Sequence, residues 1–201
     1  MRAENVQRHF DEAHARDDDP WGVATRWYEV RKRAILLAAL PRERFGSALE
    51  VGCSNGVLTA ELAERCDRVT AVDFSAEAVR LARRRTAGQG NVAVLEGDAV
   101  DGFPTGHHDL VVVSEVGYYL EPDRLGRLLD LIAGSLTPQG TVVACHWRHP
   151  EGDFAQPGDT VNAVFRRRPG WYLLAHHAED DFVLDVLSPD GRSIAARTGL
   201  R

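Results

Sequence analysis

The chain has 201 residues, enough for one domain with a substantial core and too few for a comfortable second one. Charged residues make up 27% and hydrophobic residues 44%, the proportions of a soluble globular protein, and apolar runs such as Ala34 to Leu40 fall far short of a bilayer span. A net charge of −6 argues against general nucleic-acid binding, which leaves a basic electrostatic footprint.

The opening stretch MRAENVQRHFDEAHARDDD is polar throughout and lacks the apolar core of a secretory signal, so a cytoplasmic protein is expected. Asp19-Pro20-Trp21 follows, and Trp27 to Leu40 reads as an amphipathic helix stopped by Pro41. Neither segment has a place in a sheet. Residues 1–45 are therefore expected to form a helical lid over a single domain spanning 46–201.

From residue 46, short β-branched runs alternate with helix-period segments, the pattern of a doubly wound, Rossmann-like α/β fold with a mostly parallel sheet. The predicted strands are Ala48 to Val51, Arg68 to Asp73, Val92 to Leu95, Leu110 to Ser114 and Thr141 to Cys145. The LVVVS run is apolar on both faces, as a central strand between two helix layers should be. Between the strands, Val57 to Cys66 carries Leu58 and Leu62 on one face, and Ala76 to Arg85 begins after the N-cap Ser75. Pro122 opens a helix striped by Leu125, Leu128, Leu129, Ile132 and Leu136, which ends at a predicted turn, Thr137-Pro138-Gln139-Gly140. Beyond Pro150 come a polar loop and a helix from near Asp159. Trp171 to His176 and Phe182 to Leu187, joined by Glu179-Asp180-Asp181, then suit an antiparallel hairpin at the sheet edge.

Cys53, Cys66 and Cys145 are odd in number and show no CxxC or Cys/His spacing, which favours reduced thiols over disulfides or metal ligands; no metal is expected. The arginine runs at 83–85 and 166–168 end predicted helices, where cations favour the negative pole of the helix dipole. His107-His108 lies in a polar turn and reads as surface.

The turn EVGCSNG at residues 50–56 looks like a dinucleotide-binding glycine turn with Ser54 at the position where a second glycine admits a pyrophosphate. In an open doubly wound sheet the ligand crevice lies at the carboxyl ends of the strands. There the predicted strands bring Glu50, Asp73, Asp98 and Glu115, an array that repels a polyphosphate and attracts hydroxyls, amines and positive charge. Asp73 lies ~20 residues past the turn, the offset at which an acid accepts ribose hydroxyls. Asp98 suits an exocyclic adenine amine and Glu50 a ligand ammonium. Ribose, adenine, an ammonium and a sulfonium together describe S-adenosylmethionine.

LEVGCSNG, VTAVDFS, LEGDA, DLVVVSEVGYYLE and LTPQGTVVA resemble, in order and spacing, the successive motifs of class I S-adenosylmethionine-dependent methyltransferases. Ser54 at the middle glycine is the departure. Asp19-Pro20-Trp21, the Trp27-Tyr28-Glu29 helix, Cys66 and EVGYYLE further resemble the NodS family, methyltransferases acting on the freed amine of a chitooligosaccharide. The region beyond residue 150 matches no motif.

The resemblance implies S-adenosylmethionine as cofactor and S-adenosylhomocysteine as product, held by Glu50, Gly52, Ser54, Gly56, Asp73, Phe74, Asp98, Ala99 and Glu115, with Trp21 from the lid. One of Arg31, Lys32 and Arg33 is expected at the cofactor carboxylate. Glu115 is the first candidate to hold an acceptor amine and take its proton, and His146 the second. Tyr118, Tyr119, Trp147 and Arg148 are expected on the acceptor side, where imidazole, indole and guanidinium suit a sugar or a polar aromatic. The acceptor implied is a small molecule, an amino sugar or related amine. Two alternatives stand: an O-methyltransferase on a hydroxylated natural product with His146 as base, and a non-catalytic S-adenosylmethionine-binding regulatory module.

Overall fold

The computed structural model describes residues 3–150, 152 and 154–201. Met1 and Arg2 of the expected lid, and Glu151 and Asp153 of the expected polar loop, lie outside the described residues. In chain order the elements are α1 (Ala3–Arg16), α2 (Trp27–Ala39), β1 (Ala48–Val51), α3 (Val57–Arg65), β2 (Val69–Asp73), α4 (Ala76–Arg85), β3 (Val92–Glu96), β4 (His108–Ser114), a 3₁₀ turn (Gly117–Tyr119), α5 (Pro122–Ser135), β5 (Leu136–Trp147), α6 (Gly158–Arg166), β6 (Tyr172–Ala178), β7 (Phe182–Ser188) and α7 (Ile194–Arg197). Among the described residues no helix is long and apolar enough to cross a membrane.

Seven strands form one sheet in the order β3-β2-β1-β4-β5-β7-β6. The first five are parallel, and β7 and β6 close the sheet antiparallel, as the expected hairpin requires. The chain starts in the middle, runs outward to β3, and returns to lay β4 on the other side of β1. That reversal opens a crevice at the carboxyl ends of β1 and β4.

Alternation along β4 splits the core in two. Val111 and Val113 join Leu125, Leu128 and Ile132 of α5 on one face. Leu110 and Val112 join Leu62 of α3 and Leu36 of α2 on the other. Burying each such side chain contributes roughly 1.5–3 kcal/mol. Leu36 of α2 and Leu40 just past its end join the core of the sheet, while residues of α1, of 17–26 and of α2 line the crevice.

Two local expectations are corrected. Thr137 to Gly140 lies within β5 as a bulge opposite Asp109 and is not a terminating turn: His108 partners Leu136 before it and Leu110 partners Thr141 after it. Pro138 has no N–H for a ladder, and the bulge accommodates that loss. The same early start of β4 pulls His108 inside, where it is 3% exposed with Nδ1 3.2 Å from Ser47 Oγ; only His107 stays outside. The arginine runs also tie neighbouring elements. Arg83 donates to the Val94 carbonyl at 2.9 Å and Arg166 pairs with buried Asp185 at 2.6 Å.

Candidate active site

Strand β1 delivers Glu50 into the interior and hands over to a turn built on positive φ angles at Gly52 (75°), Ser54 (49°) and Gly56 (78°). A Cβ at Gly52 would meet Val116 Cγ2 at 2.1 Å, so glycine lets the turn pass under the β4 loop. A Cβ at Gly56 would meet Ala82 Cα at 2.8 Å, so this glycine seats α3 against α4. Gly56 is therefore a packing residue and does not line the crevice, contrary to expectation. Ser54 occupies the left-handed region that suits glycine, and its N–H donates to Asp73 Oδ2 at 2.8 Å.

Asp73 ends β2 and also accepts from Ser75 N–H at 3.0 Å. Burial raises its pKa, partly offset by the Ser75 and Ser54 amides. Glu50 is 3% exposed and accepts from Thr59 Oγ1 at 2.6 Å. Burial pushes its carboxyl up to about 8, with the Thr59 hydrogen bond opposing and nearby Asp73 reinforcing the shift. Asp98 holds the turn after β3 through the Val100 and Asp101 amides at 2.8 and 3.0 Å, and takes Arg124 at 2.7 Å.

Glu115 follows β4 with φ 58°, a strained angle for a non-glycine residue. Its Oε1 takes Lys32 Nζ at 2.7 Å, and its Oε2 takes the Tyr118 hydroxyl at 2.8 Å and the Trp147 amide at 2.9 Å. Burial works against its charge, but the Lys32 ammonium and these donors hold it below the usual carboxylate range.

The crevice is roofed by residues far upstream. Phe10 of α1 packs against Phe74 (5.6 Å between ring centroids), Trp21 (5.3 Å) and Tyr119 (5.2 Å), bridging the two walls. His14, one turn later, places Nε2 3.3 Å from Ser54 Oγ, while its buried Nδ1 has no partner. Asp11 accepts from Ser75 Oγ at 2.6 Å, and Gln7 donates to the Phe74 carbonyl at 2.8 Å.

These elements enclose a cavity of about 1050 Å³. On its cofactor-type side stand Glu50, Gly52, Ser54, Asp73, Phe74, Asp98 and Ala99, with Trp21 above; on the other side stand Glu115, Tyr118, Tyr119 and Trp147. The structure thus brings together twelve of the fifteen residues expected at the site. Tyr118 and Tyr119 both reach it, and Tyr118 stacks on Phe154 at 3.9 Å.

His146 and Arg148 are corrected along with Gly56. His146 is fully buried; Nδ1 meets Asn162 Oδ1 at 2.7 Å and Nε2 accepts the Gly117 N–H at 3.1 Å, so neither nitrogen is free for a substrate proton. Burial also lowers its pKa. Arg148 turns outward to Asp159 at 3.0 Å and to the Glu179 carbonyl. Of the three cations of α2, Arg31 pairs away with Glu179 at 2.7 Å, whereas Lys32 and Arg33 line the cavity with carboxylate partners of their own.

The sequence reading missed Phe10, His14, Phe154 and the Lys32–Glu115 pair. Phe10 and His14 stand at i and i+4, a two-residue stripe hidden among charges. The pair joins segments too distant in sequence for any local pattern to show.

A parallel sheet reversing at β1 and β4, a glycine turn, acids at successive strand ends and an antiparallel hairpin at β7–β6 define the class I methyltransferase fold. A family model for nodulation protein S (NodS) matches residues 3–150. Over 197 residues the chain is 30% identical to nodulation protein S of Bradyrhizobium diazoefficiens, covering 90% of this chain and 92% of that one. Among solved structures, one from Pseudomonas syringae described as a methyltransferase is 44% identical, covering 81% of this chain and 99% of that chain with a TM-score of 0.73. N-methyltransferase NodS from Bradyrhizobium japonicum WM9, in complex with S-adenosyl-L-homocysteine, is 24% identical, covers 92% and 100%, and has a TM-score of 0.82. The chain belongs to the nodulation protein S family and is a methyltransferase.

Proposed function

We propose that the protein transfers a methyl group from S-adenosylmethionine to the nitrogen of a small-molecule amine, with an amino sugar as the preferred acceptor. The observation that carries this is the set of four strand-end acids, Glu50, Asp73, Asp98 and Glu115, around one cavity. A cofactor with ribose hydroxyls, an adenine amine, an ammonium and a sulfonium complements each of them. Buried His14 Nδ1 and Asn55 Oδ1, both without partners on cavity-lining residues, fit the same polar ligand. When bound, S-adenosylmethionine supplies an electrophilic methyl for in-line displacement.

The chain's own part is alignment and exclusion of water. Asp73, fixed by the Ser54 and Ser75 amides, would hold the ribose; Asp98, fixed by its own turn, would face the adenine. Phe10 and Trp21 would cover them. Glu115 sits at the methyl end and would draw the acceptor's positive charge. The alternative O-methyl reading loses its base, because His146 lies behind Gly117 with both nitrogens engaged. S-adenosylmethionine is made in the cytoplasm, which supports a cytoplasmic location for the reaction.

Calorimetry of S-adenosylhomocysteine binding to the wild type and Asp73→Ala, followed by turnover on amino sugars including deacetylated chitooligosaccharides, tests the reading. Binding weakened at least ~10-fold by the substitution, with turnover on an amine, is expected. No binding to the wild type overturns the cofactor assignment, and binding without turnover on any amine overturns the acceptor class.

A further inference from the structure

Lys32 is 5% exposed, and its ammonium is held by two carboxylates: Glu115 at 2.7 Å, and Glu29 at 3.0 Å through Oε2 and 3.1 Å through Oε1. It also lies 5.2 Å from the centre of the Tyr28 ring. Two carboxylates and an aromatic face are what an ammonium needs when it leaves water. Glu29, Tyr28, Lys32 and Glu115 all line the cavity, and their formal charges sum to a surplus of one negative charge. A second ammonium, that of an acceptor, balances the cluster.

The two carboxylates are not equivalent. Glu115 accepts three donors, from Lys32, Tyr118 and the Trp147 amide. Glu29 takes hydrogen bonds from Lys32 alone among the described residues, which leaves it lone pairs. Beside it, the Tyr28 hydroxyl is buried with no partner, an unmet need that an acceptor nitrogen or hydroxyl would satisfy.

We propose that Glu29, on the helix that walls the acceptor side, takes the proton from the acceptor nitrogen while Glu115 anchors its charge. This rests on the amine-methyltransferase reading above. The acceptor ammonium gives one proton to a Glu29 oxygen. The freed lone pair then forms the bond to the methyl carbon as the carbon–sulfur bond breaks, and the pair of that bond stays on sulfur. The methylated nitrogen carries the positive charge that the sulfonium loses, and Glu29 returns its proton to solvent through the cavity mouth. Charge and atoms balance without a further reactant.

The groups facing Glu29 are Lys32 and Tyr28 on its own helix and Cys145 on β5; Glu115 shares Lys32 with it and is itself bonded to Tyr118, and Asp181 acts on Tyr28. The test is kcat against pH for the wild type, Glu29→Gln and Glu29→Asp, with S-adenosylhomocysteine binding as the check on folding. Glu29→Gln keeps a hydrogen bond to Lys32 and removes the proton acceptor. Its kcat should fall ~100-fold at neutral pH, with cofactor affinity within about twofold. The deficit should narrow as pH rises and the amine arrives already neutral, and Glu29→Asp should recover part of the rate. A Glu29→Gln deficit that is constant with pH marks a structural role and overturns the assignment, as does unchanged kcat. Loss of cofactor binding in both variants overturns it too, since it shows Glu29 serving the fold. A wild type that binds the cofactor and methylates no amine overturns the functional reading itself, a different result from an active wild type with an equally active Glu29→Gln.

Discussion

Lys32 and Glu115 are separated by 83 positions in sequence and 2.7 Å in space, so one ion pair ties α2 to the end of the central strand. Lys32 is raised despite its burial, by Glu115 and Glu29, and Glu115 is lowered by Lys32. The Glu115 contribution is fully present above the ordinary carboxylate range and is lost as pH falls through its depressed folded value; the Lys32 contribution persists until strongly alkaline pH. Lys32→Met leaves Glu115 without its cation and should cost about 3 kcal/mol in urea unfolding at pH 7. A cost below about 1 kcal/mol would class the pair with ordinary surface bridges.

Glu50 has the opposite sign. Its folded carboxyl titrates at about 8, well above an unfolded glutamate, so the native state holds a proton that the unfolded chain has released. Stability therefore falls as pH rises from the ordinary glutamate range to about 8, by on the order of a few kcal/mol in total. Glu50→Gln removes that slope, so its stability relative to wild type should rise across the window. Parallel pH profiles of the two proteins in urea would refute the assignment.

Ser54 and Gly56 make a contrasting pair in one turn. Ser54→Gly relieves a left-handed serine and should stabilise the fold by about 0.5–1 kcal/mol, because the side chain it loses contributes only the contact to His14. Gly56→Ala meets both a positive φ and the Ala82 backbone, and should cost about 2–3 kcal/mol. Thermal melts of the two variants should move in opposite directions.

His146→Ala empties a buried site and leaves the Gly117 N–H and the Asn162 Oδ1 unpaired, at a cost of about 2–4 kcal/mol. Because the imidazole has no access to the cavity, the shape of the pH–rate profile should survive in whatever activity remains. Disappearance of one limb of the profile would restore His146 as a base.

Much of the fold was legible because the relevant signals are local. LVVVS between polar turns, Ser75 ahead of a helix and Pro122 at the start of another each specify an element within a few residues, and all three are found in place. The strand-end acids were legible for the same reason, since their positions follow from where strands stop. His146 was misread because a strand-end position gives a side chain's address but not its facing, which here depends on Asn162 of α6. Gly56 was misread because its partner, Ala82, belongs to the next helix along. Lys32 was expected only as one of three candidates for the cofactor carboxylate, and its pairing with Glu115 escaped notice because packing between α2 and the end of β4 fixes it, a tertiary relationship with no trace in spacing.

The reversal between β1 and β4 divides the cavity along a seam. On one side, the acids proposed to meet the cofactor stand in or beside the turns after β1, β2 and β3, and backbone amides lock Asp73 and Asp98 in place. On the other, the walls come from α2, the 3₁₀ turn and the loop carrying Phe154, and their polar groups are held mainly by one another's side chains. Positions fixed by backbone amides withstand changes in their neighbours' side chains; positions fixed by side chains shift with each change. Acceptor preference in such a molecule is free to drift by point mutation while cofactor recognition stays put, so relatives with the same sheet and the same strand-end acids can diverge in what they modify.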